Sequence, residues 1–196
     1  MLWIGLTGGL ASGKTTVTNI LRKKKIAVIC ADELARLAVA PKSLGLQQVL
    51  SDFGTDLLNS NGELDRKKLG EKVFKNKQNL VKLESIIHPI VRQLGAKQRN
   101  ELELAGEKIA FYDVPLLFEK NMQSLFDKII VVTTSPENQM RRAILRDGLS
   151  EIEIHHRLQN QLPMSQKINS ADFIIENNST LQDLELAVDR MLLAVQ

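Results

Sequence analysis

The chain has 196 residues, 43 % hydrophobic and 25 % charged, which suits one globular core with appended subdomains and does not demand two independent domains. One cysteine, Cys30, excludes an internal disulfide framework and a cysteine-rich metal site. The net charge of +3 does not make a nucleic-acid surface: aromatics are 4 %, and the run Arg22-Lys23-Lys24-Lys25 falls where cations complement a helix C-terminus.

The first apolar run, Leu2–Thr7, lacks a basic flank and reads as a buried strand rather than a signal peptide. No apolar run approaches the roughly eighteen residues of a membrane helix, so a cytosolic setting without a membrane partner is expected. Gly8-Gly9-Leu10-Ala11-Ser12-Gly13-Lys14-Thr15 follows the strand, and Thr16-Val17-Thr18-Asn19-Ile20-Leu21 then reads as a helix. G-x-x-x-x-G-K-[ST] between strand and helix is a phosphate-binding loop. Its glycines let successive N–H groups turn toward a polyphosphate, Lys14 reaches the outer phosphates, and the Thr15 hydroxyl suits Mg²⁺. The competing reading is a glycine-rich turn with Ser12 as a helix cap.

Further short, β-branched runs at Ile26–Cys30, Lys108–Val114, Lys128–Thr133 and Asp172–Glu176 alternate with helical stretches, which predicts a parallel sheet flanked by helices. The long gap between the second and third runs predicts a helical insertion. Its helices are expected at Asp32–Val39, Leu44–Asp52, Arg66–Phe74 and from Asn79 to about Ala105, with Pro89 marking a start or a kink. Ser135-Pro136-Glu137 opens a helix bearing Arg141, Arg142 and Arg146. Ser150-Glu151-Ile152-Glu153 reads as a capping box, and Leu181–Val195 as a helix returning to the sheet.

Ligands of open parallel sheets bind at the carboxyl ends of the strands. Asp32, just past the second run, is placed to accept a proton from an attacking hydroxyl or to help hold Mg²⁺; it would equally serve as a helix N-cap. Asp113, ending the third run, stands where a strand-end carboxylate holds Mg²⁺, or is a turn carboxylate. Pro115-Leu116-Leu117-Phe118-Glu119 is either a fixed wall of the cleft or core. Arg142 and Arg146, four apart, share a helix face, either reaching phosphates from a mobile lid or lying in solvent. His88 reads as structural or substrate-contacting, since no His/Cys/Asp cluster has zinc spacing.

These residues resemble the dephospho-CoA kinase family. The likeness runs through Leu6–Thr16, Cys30-Ala31-Asp32-Glu33-Leu34-Ala35-Arg36, Phe53-Gly54, Gly62–Leu69, Leu83–Pro89, Pro115–Glu119, Gln139-Met140-Arg141-Arg142 through Arg146, Gln161, and Ala171–Asn178. It implies transfer of the γ-phosphate of ATP to the ribose 3′-hydroxyl of dephospho-CoA, the last step of coenzyme A biosynthesis, with Mg²⁺ as cofactor. Asp32 would be the catalytic base. Lys14, Arg142 and Arg146 would stabilise the transferring phosphoryl group; Thr15 and Asp113 are the metal candidates on the reading of the residues above, Asp113 not being a fixed feature of the family. Gly8, Gly9, Ala11, Ser12, Gly13, Lys14, Thr15, Thr16 and Asn177 would hold the nucleotide, and Asp32, Arg36, Arg66 and His88 the acceptor. The implied architecture is an α/β phosphate-loop kinase: a nucleotide core of 1–31, 107–134 and 170–196, a CoA-binding subdomain of 32–106, and a lid of 135–169. The implied partners are ATP and dephospho-CoA, without nucleic acid, on a monomer or weak homo-oligomer. A kinase for another metabolite and a nucleotide-binding switch without transfer chemistry are the rival readings of the same loop.

Two positions depart from the family pattern. Cys30 stands where the family commonly has a first Asp before Ala-Asp, and a core role is expected for it. Ala11 replaces a frequent glycine, and its methyl group is expected to require negative φ there.

Overall fold

The β-branched runs become five strands: β1 (Leu2–Gly8), β2 (Ala27–Cys30), β3 (Ile109–Asp113), β4 (Lys128–Thr133) and β5 (Phe173–Glu176). In a computed structural model, which describes residues 1–74 and 76–195, they form one parallel sheet in the order β2-β3-β1-β4-β5. β1 lies at the centre. Leu6 pairs with Asp113 on one side and with Ile130 on the other. Helices on both faces explain why β1, β3 and β4 are apolar almost throughout rather than alternating.

The chain divides into two units, Met1–Ile29 with Leu102–Gln196, and Cys30–Glu101. In the first, α1 (Lys14–Lys23) and α9 (Leu181–Val195) pack Val17, Ile20, Leu21, Leu184, Val188 and Met191 against Ile4, Leu6, Phe111, Ile130 and Ile175. Arg22 and Lys23 occupy the last turn of α1, and Lys24 pairs with Asp189 of α9 at 2.7 Å. Trp3 and Tyr112, which alternate with Ile4 and Phe111, form an aromatic group with Phe126 on the opposite face of the sheet, with ring centroids 5.6–6.2 Å apart. Leu117 and Phe118 are buried, so the Pro115–Glu119 stretch contributes core; Leu117 packs over Gly5 of β1.

The same unit carries α6 (Pro136–Asp147), α7 (Glu151–Gln159) and α8 (Met164–Asn169). Ser135 caps α6 by accepting from Asn138 N–H, and Ser150 and Glu153 form the reciprocal capping box of α7. α8 escapes sequence reasoning because six residues are too few to establish a period.

The second unit holds α2 (Ala31–Ala38), α3 (Leu44–Phe53), α4 (Arg66–Phe74) and most of α5 (Lys77–Leu104). Its own core gathers Leu46, Val49, Phe53, Leu57, Leu64, Leu69 and Val73. The Asp65 carboxylate accepts from Lys67 and Lys68 N–H and so starts α4. Pro89 lies inside α5, not at its start; the helix simply runs on without that one N–H donor. No helix among the described residues is long and apolar enough to cross a membrane.

Candidate active site

The phosphate loop leaves the C-terminal end of β1, with a neighbouring strand on either side of β1, which is where an open parallel sheet opens a ligand crevice. The loop turns tightly: Ser12 N–H donates to Gly9 O at 3.2 Å, and Thr16 and Val17 N–H both donate to Gly13 O. Gly13, at φ 95°, is the N-cap of α1. Ser12 is therefore not the cap; its hydroxyl is buried and makes no hydrogen bond among the described residues. The expectation for Ala11 is also corrected. It sits at φ 52°, a left-handed conformation that costs an L-residue roughly 1–2 kcal/mol, with its methyl group buried beside Ala143, Leu149 and Ile154.

Lys14 and Asp113 form an ion pair, and Thr18 Oγ1 donates to the other Asp113 oxygen at 2.7 Å. Asp113 ends a strand and is 2 % exposed, so it is no turn carboxylate; two donors from α1 satisfy its oxygens. Thr15 is exposed one position after Lys14, and Thr16 is half-buried.

Asn177 is buried just past β5. Its Nδ2 donates to Ser12 O at 2.9 Å, so the side chain holds the loop backbone. A cavity of roughly 550 Å³ is lined by Ala11, Gly13, Thr16, Arg142, Arg146 and Asn177, together with Arg141 and Leu181. Arg142 is half-buried and donates to Thr134 Oγ1 at 3.3 Å, while Arg146 is exposed one turn further along α6. Nucleotide-side candidates from the beginning, middle and end of the chain thus surround one space. A Cβ at position 13 would run into Asn177 Nδ2 in addition to the strain of φ 95°. Gly13→Ala is expected to cost about 1–3 kcal/mol of stability. It should also weaken binding of a polyphosphate at the loop by about tenfold or more, read by titration calorimetry alongside thermal denaturation.

Asp32, Arg36, Arg66 and His88 belong to the helical unit. Asp32 is exposed in the first turn of α2, whose N-cap is Cys30, so Asp32 is not the cap. Cys30 is half-buried at the junction of β2 and α2 rather than in the core, because the chain turns out of the sheet there. Arg36 lies in the last turn of α2, Arg66 begins α4 and His88 lies within α5; all three are exposed.

Three further residues touch the loop from the arginine-bearing segment. Gln139 Nε2 donates to Leu10 O at 2.7 Å, Gln161 Oε1 accepts from Leu10 N–H at 3.2 Å, and Met164 lies against Gly9. Both glutamines stand in the quoted motifs, but their spacing gives no sign that they meet at one residue. Behind them, Lys167 of α8 is fully buried and pairs with Glu119 Oε1 at 2.7 Å, and the same oxygen accepts from Leu162 N–H at 2.9 Å. Burial pushes the Glu119 carboxyl up, but the Lys167 ammonium and the Leu162 N–H outweigh it and hold the group below the usual carboxylate range.

Comparison with known proteins agrees with this geometry. The dephospho-CoA kinase family model matches residues 2–183. A dephospho-CoA kinase of Bdellovibrio bacteriovorus is 46 % identical over 192 residues, spanning 98 % of this chain and 95 % of that one. One from Geobacillus kaustophilus is 42 % identical over 194 residues, spanning 99 % and 94 %. The solved dephospho-CoA kinase of Campylobacter jejuni superposes with a TM-score of 0.74 at 31 % identity, covering 98 % of this chain and 96 % of that one. A β1–loop–α1 phosphate cradle on a five-stranded parallel sheet, matched over nearly its whole length, places this chain in the dephospho-CoA kinase family of ATP-dependent phosphotransferases.

Proposed function

We propose that the chain transfers the γ-phosphate of ATP to the 3′-hydroxyl of dephospho-CoA, yielding coenzyme A and ADP. The observation that carries this reading is the loop itself, with Lys14 held by a buried strand-end carboxylate in a chain of this family. The acceptor oxygen forms a bond to the γ-phosphorus as the bond to the β-phosphate oxygen breaks, and the hydroxyl proton passes to Asp32. Loop N–H groups and the positive end of α1 receive the phosphates. Lys14 neutralises charge on the outer phosphates, moving from Asp113 toward them, and Arg142 and Arg146 offer planar donors to the equatorial oxygens.

Mg²⁺ fits the donor chemistry of this loop. Thr15 and Asp113 supply hard oxygen ligands, and among the described residues no group of three or more His, Cys, Asp or Glu could hold a metal. That suits an ion bound mainly through substrate phosphates with one or two protein ligands. When bound, it would neutralise charge on the β- and γ-phosphates. Residues 32–106 would receive the CoA moiety, with Arg36, Arg66 and His88 as contacts. Residues 135–169 would act as the lid over the core formed by 1–31, 107–134 and 170–196.

The direct test is purified protein with Mg-ATP and dephospho-CoA, with coenzyme A followed by mass spectrometry. A product phosphorylated elsewhere, or ADP without phosphorylated acceptor, would sink the assignment. Lys14→Ala is expected to lower turnover by about 10²–10³-fold with any acceptor, as for loss of one preorganised charge at the transferring group. A steady-state comparison with the unsubstituted protein checks it.

A further inference from the structure

Ala11 needs an explanation, because alanine at φ 52° would relax to a right-handed or extended backbone if the chain around it allowed. The rotation that would relax it is a turn of the Leu10–Ala11 peptide plane, since that plane carries the Leu10 carbonyl and sets φ of Ala11. Gln139 Nε2 holds this carbonyl oxygen at 2.7 Å. Gln161 Oε1 holds the N–H on the other side of Leu10 at 3.2 Å, so compensating rotation of the preceding plane is opposed as well. Each amide presents the one group its partner needs, a donor to C=O and an acceptor to N–H.

The two glutamines are themselves anchored. Gln139 lies on α6, three residues before Arg142, so the two share a helix face. Gln161 precedes Leu162, whose N–H is fixed by Glu119, and Glu119 is fixed in turn by buried Lys167. The grip on Leu10 therefore ties the arginine-bearing helix to the bend of the phosphate loop.

We propose that Gln139 and Gln161 are positioning residues that clamp Leu10, hold Ala11 left-handed, and so keep the loop N–H groups aimed at the ATP phosphates. This rests on the reading that the loop binds ATP. Where position 11 is glycine, a left-handed backbone needs no such restraint, so the dependence on the clamp is a property of this chain's alanine.

The test is a mutant cycle on the full chain, with Mg-ATP affinity read by titration calorimetry and KM for dephospho-CoA by steady-state kinetics. Q139A and Q161A are each expected to weaken ATP binding by about fivefold, the equivalent of one hydrogen bond, with KM for dephospho-CoA within about twofold. In the A11G background the same substitutions should change ATP affinity by less than about twofold. Equal losses in both backgrounds, or none in either, would overturn the proposal. Circular dichroism confirms folding, and if the double variant Q139A/Q161A does not fold, the single variants decide. Failure to form coenzyme A with the cycle intact would remove the acceptor assignment and leave the clamp standing.

Discussion

Asp32→Asn is expected to cut turnover by about 10³-fold while leaving ATP affinity within about twofold. The substitution keeps size and hydrogen-bonding capacity and removes only the ability to take up a proton. Its position makes the test clean. Asp32 is exposed in the first turn of α2 and is not its N-cap, so no cap is lost. Losing a negative charge there costs about 0.3–1 kcal/mol of helix-dipole stabilisation, too little to unfold the unit. Pre-steady-state transfer with saturating Mg-ATP and dephospho-CoA measures the chemical step directly. Retention of near-full transfer would remove Asp32 from the base role, while equal loss of ATP affinity would point to a binding role.

Glu119→Gln carries the largest expected effect on stability. The amide can still accept from Leu162 N–H, but it leaves the fully buried Lys167 ammonium without its counter-charge. Breaking a buried pair from one side costs about 3–5 kcal/mol. The carboxyl is held below its ordinary value of 4.5, so its contribution is full above that value and is lost as pH falls through the depressed folded value. The unsubstituted protein should therefore be far more stable than the variant near neutrality, and the difference should shrink below about pH 4.5. Urea denaturation at several pH values measures it. Fluorescence of Trp3, the sole tryptophan, reports on the unit that contains the pair. Equal midpoints for the two proteins at neutral pH would show that Lys167 finds another partner.

Much of the fold was legible because it is encoded locally. Lys128–Thr133, Arg66–Phe74 and Leu181–Val195 match the observed elements residue for residue, and β1, β2, β3 and β5 differ from expectation by a residue or two at their ends. Ser135-Pro136 and Ser150 with Glu153 announced two helix starts through side-chain chemistry that acts within four residues. The errors arise where a residue's meaning depends on distant neighbours. Alanine's methyl group argues for negative φ at position 11, yet the residue is left-handed and packs on Ala143, Leu149 and Ile154 from far along the chain. Asp32 looked equally like a cap because Asp before an apolar helix commonly is one; the helix starts two residues earlier than a cap at Asp32 requires, and Cys30 takes that place. Lys167, one of 26 basic residues, carries no mark of being buried.

The contiguous residues Gly8–Thr15 and the alternation of apolar runs after them were enough to declare a phosphate cradle and a parallel α/β core, because strand, bend and helix propensities act over a few positions; the family was legible only as a resemblance of the ordered motifs. Sheet order, the pairing of Lys14 with a carboxylate 99 residues away, and the approach of Gln161 to Leu10 across 151 residues were decided only by tertiary packing. Such contacts depend on which strands lie side by side and how the later helices settle against them. No local pattern carries that information, since it exists only once the whole sheet has formed.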